Sequence, residues 1–386
     1  MRVLIAPDDF KGTLTAPQAA EAIAAGWRSA APDDDVVLLP LSDGGPGFVM
    51  ALAESAAPAH PSGDPADDGH LVPVGVRGPL GDTAIGMVLM VGDTAYVESA
   101  HACGLALVPE HRRNAGAAST YGVGQLIAAA LDAGARWVVV GLGGSATTDG
   151  GAGMLAALGA RAYDADGDEV PLDAGGVPLA RMCDIDLSSA RERTASVELV
   201  AASDVDAPLL GAHGAARGFA PQKGAGPADV EQLEDALAVY ASAMARSEDD
   251  LDLASHPGAG AAGGLGYALL LLGARRVPGI ETVMRAVDFD RHVAECDLVI
   301  TGEGCFDWQS LRGKVVSGVA AAGLARARPI VVIAGRVEVG RREYSALGVA
   351  EACAVYEQPP DTIPSPSRAA ADLAARTARL AGQWSR

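Results

Sequence analysis

Apolar runs open and close this chain in a repeated rhythm of strand, glycine-bearing turn and helix. Residues 2–7 are almost continuously apolar, which predicts a strand covered on both faces. Thr15-Ala16-Pro17-Gln18 reads as a capping box with proline in the first turn, so a helix is expected from there to about Ala31. VVLLPL (36–41) predicts the next strand and SDGG its turn, and a second helix follows from about Phe48. The rhythm returns near residue 296 with CDLVITGEG, a helix from Ser310, PIVVIAG, ACAVYE and a terminal helix over 366–383. Such alternation is the pattern of a parallel sheet with crossover helices.

The middle of the chain reads differently. Residues 58–69, rich in Pro, Asp and Gly, predict a loop, and DTAIGMVLMVGDTAYVES (82–99) predicts a hairpin turning at Gly92-Asp93. A helix over 119–135, the strand RWVVVGLGG, a helix over 152–158, a hairpin at YDADGDEV and the strand VELVAASD follow, then helices at 228–247 and 262–273. The expected class is therefore α/β: an outer parallel-sheet domain interrupted by a second, inserted α/β domain. The boundaries read as 1–78, 79–288 and 289–386.

Length and composition support this picture. A chain of 386 residues is long enough for two cores, and 49% apolar residues with 48 glycines suit a well-buried α/β protein. A net charge of -20 argues against non-specific binding to nucleic acid or anionic membrane. The five cysteines have no CxxC spacing, so a zinc site or disulfide framework is not expected. No signal-peptide pattern opens the chain, and no long apolar stretch is free of glycine or charge; the expectation is a soluble cytoplasmic protein.

The chemistry sits in the turns. APDDFKG, PLSDGG, GLGGSATTDGG, ASDVDAPLLG and TGEGCFDWQS each join carboxylates to glycine or other turn-forming residues. Loops at the carboxyl ends of parallel strands form the ligand face of such a sheet. Glycines let backbone N–H groups approach phosphate, and adjacent carboxylates hold Mg²⁺ or take a proton. Among 29 lysines and arginines only three are lysine, Lys11, Lys223 and Lys314, and each lies beside glycine in or near these loops. A compact ammonium reaches a phosphoryl oxygen or carboxylate in a tight loop more readily than a planar guanidinium. Together these features point to a site for a metal-bound polyphosphate.

Each feature also has a plainer explanation. Asp8 and Asp43 suit helix starts, His101 a satisfied part-buried histidine, and Asp164–Asp168 a hairpin turn in place of a calcium loop. Retention of three lysines in an arginine-rich chain fits drift as well. GxxxxGK[ST] is absent, and the one GxGxxG, Gly258 to Gly263, follows His256-Pro257 where a dinucleotide fold needs a strand. GLGGSA (141–146) follows a strand but fits only the looser GxGxxA form.

Taken in order, IAPDDFKGTLTAPQAAEAI, PLSDGG, VESAHACGL, GLGGSATTDGGAGML, SDVDAPLLG, PQKGA, PGAGAAGGLG and TGEGCFDWQSLRGK resemble the type I glycerate kinase family over nearly the whole chain. The resemblance implies a flavodoxin-like domain interrupted by a second α/β domain, with the active site in a cleft, and transfer of phosphate from ATP with Mg²⁺ to D-glycerate. Four positions depart from the family pattern: Asp9 for Ser, Pro46 for Glu, Thr148 for Asn and Ala207 for Asn.

On this basis Lys11, Lys223, Asp8 and Asp43 are the expected catalytic residues, with Asp43 preferred over Asp8 as the base. Gly44, Gly45, Gln222, Gln309 and Lys314 join them around the substrate. Gly143, Gly144, Ser145, Asp149, Gly260, Gly263 and Gly264 would cradle the nucleotide, and Asp204, Glu303 and Asp307 would hold Mg²⁺. The product is expected to be 2-phosphoglycerate, with 3-phosphoglycerate open, and the chain a monomer or homodimer. Two other classes stay in view, a non-catalytic sugar-acid-binding paralogue, suggested by Pro46 and Ala207, and an NAD-dependent hydroxy-acid dehydrogenase.

Overall fold

The apolar runs at the two ends of the chain become one five-stranded parallel sheet. The computed structural model describes residues 1–10, 12–56, 69–245, 253–311, 313–358 and 362–385, with the side chains of residues 55 and 56 excepted. It divides into two units, the first made of Met1–Asp43, Met50–Ala56 and Pro278–Arg386, the second of Gly44–Val49 and Ala57–Val277. Among the described residues no helix is long and apolar enough to cross a membrane.

In the first unit the strands lie in the order Val349–Ala354, Ile330–Ala334, Leu298–Thr301, Arg2–Ile5, Asp35–Leu38, every pair parallel. Numbered within the unit this order is 2-1-3-4-5, the flavodoxin-like arrangement, in which ligands bind where the strand order reverses, between strands 1 and 3. Here those are Arg2–Ile5 and Leu298–Thr301. The largely apolar Leu298–Thr301 and Ile330–Ala334 are buried along their length, as interior parallel strands are. The helix Ala16–Ala30 starts at the expected capping box and crosses the terminal helix Pro366–Trp384 so closely that a Cβ on Gly26 would lie 2.2 Å from the carbonyl oxygen of Ala374.

The second unit holds a six-stranded mixed sheet in the order Arg275–Val277, Glu198–Ala202, Trp137–Gly141, Thr94–Glu98, Thr83–Val91, His70–Arg77. The first four run parallel; Thr83–Val91 joins Thr94–Glu98 through the antiparallel hairpin expected at Gly92-Asp93, and His70–Arg77 adds a further antiparallel strand at the edge. The YDADGDEV hairpin forms between Arg161–Tyr163 and Glu169–Val170, its turn tied by Asp164 Oδ1 accepting from the N–H groups of Asp166 and Asp168 at 3.1 and 2.9 Å.

Three details differ from the sequence expectation. The strand His70–Arg77 belongs to the second unit; as an edge strand it tolerates Pro73, which hides it from a propensity reading. Residues from Pro278 to 288 belong to the first unit, where Ile280 packs against Gly318. The helix expected from Ser310 begins at Val315, because Asp307 and Ser310 close a polar turn and Gly313, at φ +75, turns the chain once more. The loop expected at 58–69 falls almost wholly outside the described residues.

Candidate active site

In the first unit the switch point is stitched shut by the backbone. Ala6 and Asp8 donate their N–H groups to the carbonyls of Ile300 and Gly302 at 2.7 and 2.8 Å, and Thr301 Oγ1 donates to the carbonyl of Ala6 at 2.7 Å. Pro7 accepts from the N–H of Leu41 at 2.9 Å. The loops that follow three neighbouring strands are thus fixed together, and their carboxylates with them.

Asp8 is 8% exposed and Glu303 9%. Burial raises the proton affinity of Asp8 well above that of an ordinary carboxylate, and the neighbouring charges of Asp43, Asp9 and Glu303 raise it further, against one hydrogen bond from the N–H of Asp9. Four carboxylates therefore share one corner, and the proton affinity of Asp8 is raised there. Lys11 lies outside the described residues.

A cavity of about 530 Å³ opens beside this corner, wholly within the first unit. Asp8, Asp9, Glu303 and Asp307 line its acidic side, with the cations of Lys314 and Arg336 among them. Val355, Ile363, Pro364 and Leu373 form an apolar wall. Gln309 accepts from Lys314 Nζ at 3.4 Å, so the two belong together. Asp307 spends Oδ1 on its own turn, accepting from the N–H groups of Gln309 and Ser310 at 2.8 and 3.3 Å. Of the three expected metal ligands, Asp204 is half-buried in the second unit, while Glu303 and Asp307 are in the first. Among the described residues no group of three or more His, Cys, Asp or Glu side chains is arranged to hold a metal ion.

In the second unit the glycines expected to cradle the nucleotide lie close against the protein's own chain. A Cβ on Gly143 would lie 2.5 Å from Gly45 Cα, and one on Gly144, at φ +64, would lie 2.7 Å from Pro46 Cγ. Gly44 makes the same close approach to Gly141, whose Cβ would stand 2.7 Å from the Gly44 carbonyl oxygen. On Gly260, Gly263 and Gly264 a Cβ would meet Pro208, Thr147 and Gly150 backbone at 2.2, 1.9 and 2.6 Å. These positions are small because the protein's own chain fills the space beside them. Asp149, fully buried, accepts from Thr120 N–H and Oγ1 at 2.8 Å each, and from Gly151 and Gly153 N–H at 3.1 and 3.3 Å. Its carboxylate braces the loop from within.

Lys223 is likewise interior, 3% exposed, and donates to Ser145 Oγ at 3.0 Å and to the Thr147 carbonyl at 2.6 Å. Gln222, beside it in the one-turn helix Pro221–Lys223, is exposed. Burial lowers the Lys223 ammonium to about 8, opposed by the nearby Cys103 and Asp149. An ammonium so depressed costs the fold stability while both states are charged, and that cost is relieved as pH rises from about 8 to the ordinary lysine value of 10.5. Relative to Lys223→Met, the chain is expected to gain roughly 3 kcal/mol across that window in urea denaturation, one pKa unit being about 1.4 kcal/mol. A flat difference would show that the buried ammonium titrates normally.

Two residues of the second unit brace its own loops more than sequence reasoning gave them. Glu98, buried, accepts from the N–H groups of Gly47 and Val49 at 3.0 and 3.2 Å and so caps the helix start that Pro46 precedes. Thr120 anchors Asp149 and also accepts from the N–H of Met154 at 3.0 Å. Only their place in or beside a glycine-rich stretch signals them in the sequence. His101 is engaged at both nitrogens, with Nε2 3.6 Å from Glu98 and Nδ1 accepting from Met87 N–H at 3.4 Å, which fits the plainer reading of it.

Comparison with known proteins agrees with this fold. The model of the glycerate kinase family matches residues 3–385. Glycerate kinase of Bacillus subtilis is 44% identical over 340 residues, covering 87% of this chain and 85% of the relative. Glycerate 2-kinase of Escherichia coli is 42% identical over 340 residues, with 87% and 85% covered. A crystal structure assigned to glycerate kinase 2 of Salmonella typhimurium LT2 superposes with a TM-score of 0.80 at 37% identity, covering 99% of this chain and 98% of that one.

Proposed function

The chain belongs to the glycerate kinase family, and from that premise we propose that it transfers the γ-phosphoryl group of ATP to the 2-hydroxyl of D-glycerate. The observation that carries this reading is the meeting of Asp8, Asp9, Asp43 and Glu303 at the strand-order switch point of the first unit. Phosphoryl transfer asks little covalent chemistry of the protein; it needs positioning, a group to take the hydroxyl proton and cations to meet the phosphates.

In the proposed step the hydroxyl oxygen of glycerate bonds to the γ-phosphorus as the bond to the β-phosphate oxygen breaks, and the hydroxyl proton passes to Asp8. We assign this role to Asp8 over Asp43, the sequence preference, because its crowded, buried setting raises its proton affinity. Lys11 keeps the role its sequence suggests, countering charge on the transferring group. Lys223 becomes a positioning residue for the loop of Ser145 and Thr147, since its contacts are both with the protein.

Among the described residues no cluster of three or more metal-binding side chains is found, so no step is derived through a metal. Mg²⁺ generally binds through nucleotide phosphates with one or two carboxylates and water, and it is proposed here only as the counter-ion that ATP brings.

Incubation with Mg-ATP and D-glycerate, followed by phosphorus NMR, tests the reading. The expected spectrum is that of 2-phosphoglycerate with equimolar ADP. A spectrum of 3-phosphoglycerate would overturn the choice of hydroxyl, and unconsumed ATP would overturn the kinase reading itself.

A further inference from the structure

The kinase reading requires two ligands of very different size, and the first unit offers a cavity suited to only one of them. At about 530 Å³ it falls in the range of clefts that enclose drug-sized molecules and greatly exceeds a three-carbon acid. Its lining joins the apolar Val355, Ile363, Pro364 and Leu373 with the cations Lys314 and Arg336, beside the carboxylates of Asp8, Asp9, Glu303 and Asp307. A nucleotide offers a flat base to the first group and a polyanion to the second.

The rim adds a second observation. Trp308 is 61% exposed between Asp307 and Gln309, both of which line the cavity, and Ile363 is 77% exposed in the apolar wall. An exposed apolar side chain in a cleft wall, such as Ile363, suits a ligand that covers it, and an aromatic ring is a platform for a base. Lys314 is also the N-cap residue of the helix Val315–Ala325, where no side chain caps the first N–H groups, so backbone donors accompany its ammonium. The glycine loops of the second unit offer no comparable room at the positions considered, because backbone and Pro46 occupy it.

We infer that this cavity is the nucleoside triphosphate site, with the base held against the wall of Val355, Ile363 and Leu373 and the phosphates toward Lys314 and Arg336. The inference rests on the kinase reading and assigns Lys314 and Gln309 to the nucleotide in place of the acid substrate. It also places the γ-phosphate end of the ligand beside the carboxylate corner of Asp8.

Ile363→Glu and Lys314→Ala test it, the first by putting a charge on the apolar wall and the second by removing a cation. ADP titrated calorimetrically into each variant should bind at least tenfold more weakly than into the unaltered chain, and the KM for ATP should rise by a similar factor. The KM for D-glycerate should stay within twofold, and thermal unfolding should be unchanged because the Ile363 side chain lies at the surface. ADP affinity within twofold of normal in both variants would overturn the inference, as would a rise confined to the KM for glycerate. If the unaltered chain binds ADP and loses it in both variants yet never phosphorylates glycerate, the kinase reading fails and the nucleotide assignment stands.

Discussion

Asp8→Asn should lower kcat by about 10²–10⁴-fold, the usual worth of a positioned general base. An amide is nearly isosteric with the carboxylate, but it cannot take the hydroxyl proton. Steady-state kinetics should show the KM for ATP little changed, because the loss falls on the chemical step. The fold should gain, not lose. Burial and the charges of Asp43, Asp9 and Glu303 raise the proton affinity of Asp8 in the folded state. A raised carboxyl favours the folded state fully below its ordinary pKa, and that contribution is lost as pH rises through the raised one. At neutral pH Asp8 is therefore a cost that the asparagine removes, and Asp8→Asn should melt no lower than the unaltered chain. The unaltered enzyme's kcat should climb with pH through a value above the ordinary carboxylate range. Should Asp43→Asn abolish turnover while Asp8→Asn retains it, the proton goes to Asp43.

Gly263→Ala should destabilise the second unit by at least about 3 kcal/mol, read as a shift in the urea midpoint. Two effects combine there. The residue sits at φ +72, where an L side chain is strained by about 1–3 kcal/mol. Its Cβ would also stand 1.9 Å from the carbonyl oxygen of Thr147, a backbone atom that cannot swing aside. Thr147 in turn accepts from Lys223, so displacing it disturbs a buried ammonium. Gly167→Ala separates the two effects, since Gly167 has φ +85 but nothing within 4 Å of where its Cβ would stand. It should cost only the strain. Equal losses for the two variants would remove the close-approach argument.

Much of the fold was legible in the sequence because its driving force is local. Continuous apolar runs such as LVIT and PIVVIA can only be interior parallel strands, and their turn residues mark where they stop. His70–Arg77 escaped because an edge strand is free to carry Pro73 and exposed alternate positions. For the site, the sequence marks the acids and the glycines alike but not what each glycine lies against. A glycine reports that something comes close, and the sequence cannot say whether that is a phosphate or the protein's own backbone. At Gly143 and Gly263 it is the backbone. The burial of Lys223 is a related case: the glycine beside it in PQKGA does not reveal that the chain folds its ammonium into the interior. The apolar wall of the cavity comes from Val355, Ile363 and Leu373, in the stretch where motif resemblance fades, because a hydrophobic lining can be kept by many different residues.

The interrupted sheet of the first unit also sets an order of events at the ribosome. Its central pairing joins Val3 to Leu298, and the neighbouring contact of Arg2 N–H with Asp297 spans 295 positions along the chain. The opening strands must therefore emerge and wait, unable to bury their apolar faces in the sheet, while the second unit is synthesised. That unit is nearly contiguous, and every one of its strand pairs is complete once Val277 has left the exit tunnel. It should fold first and independently, whereas closure of the outer sheet carries the entropy of a very long loop and is the slow, aggregation-prone step. The residues that begin the protein are among the last to find their place in it.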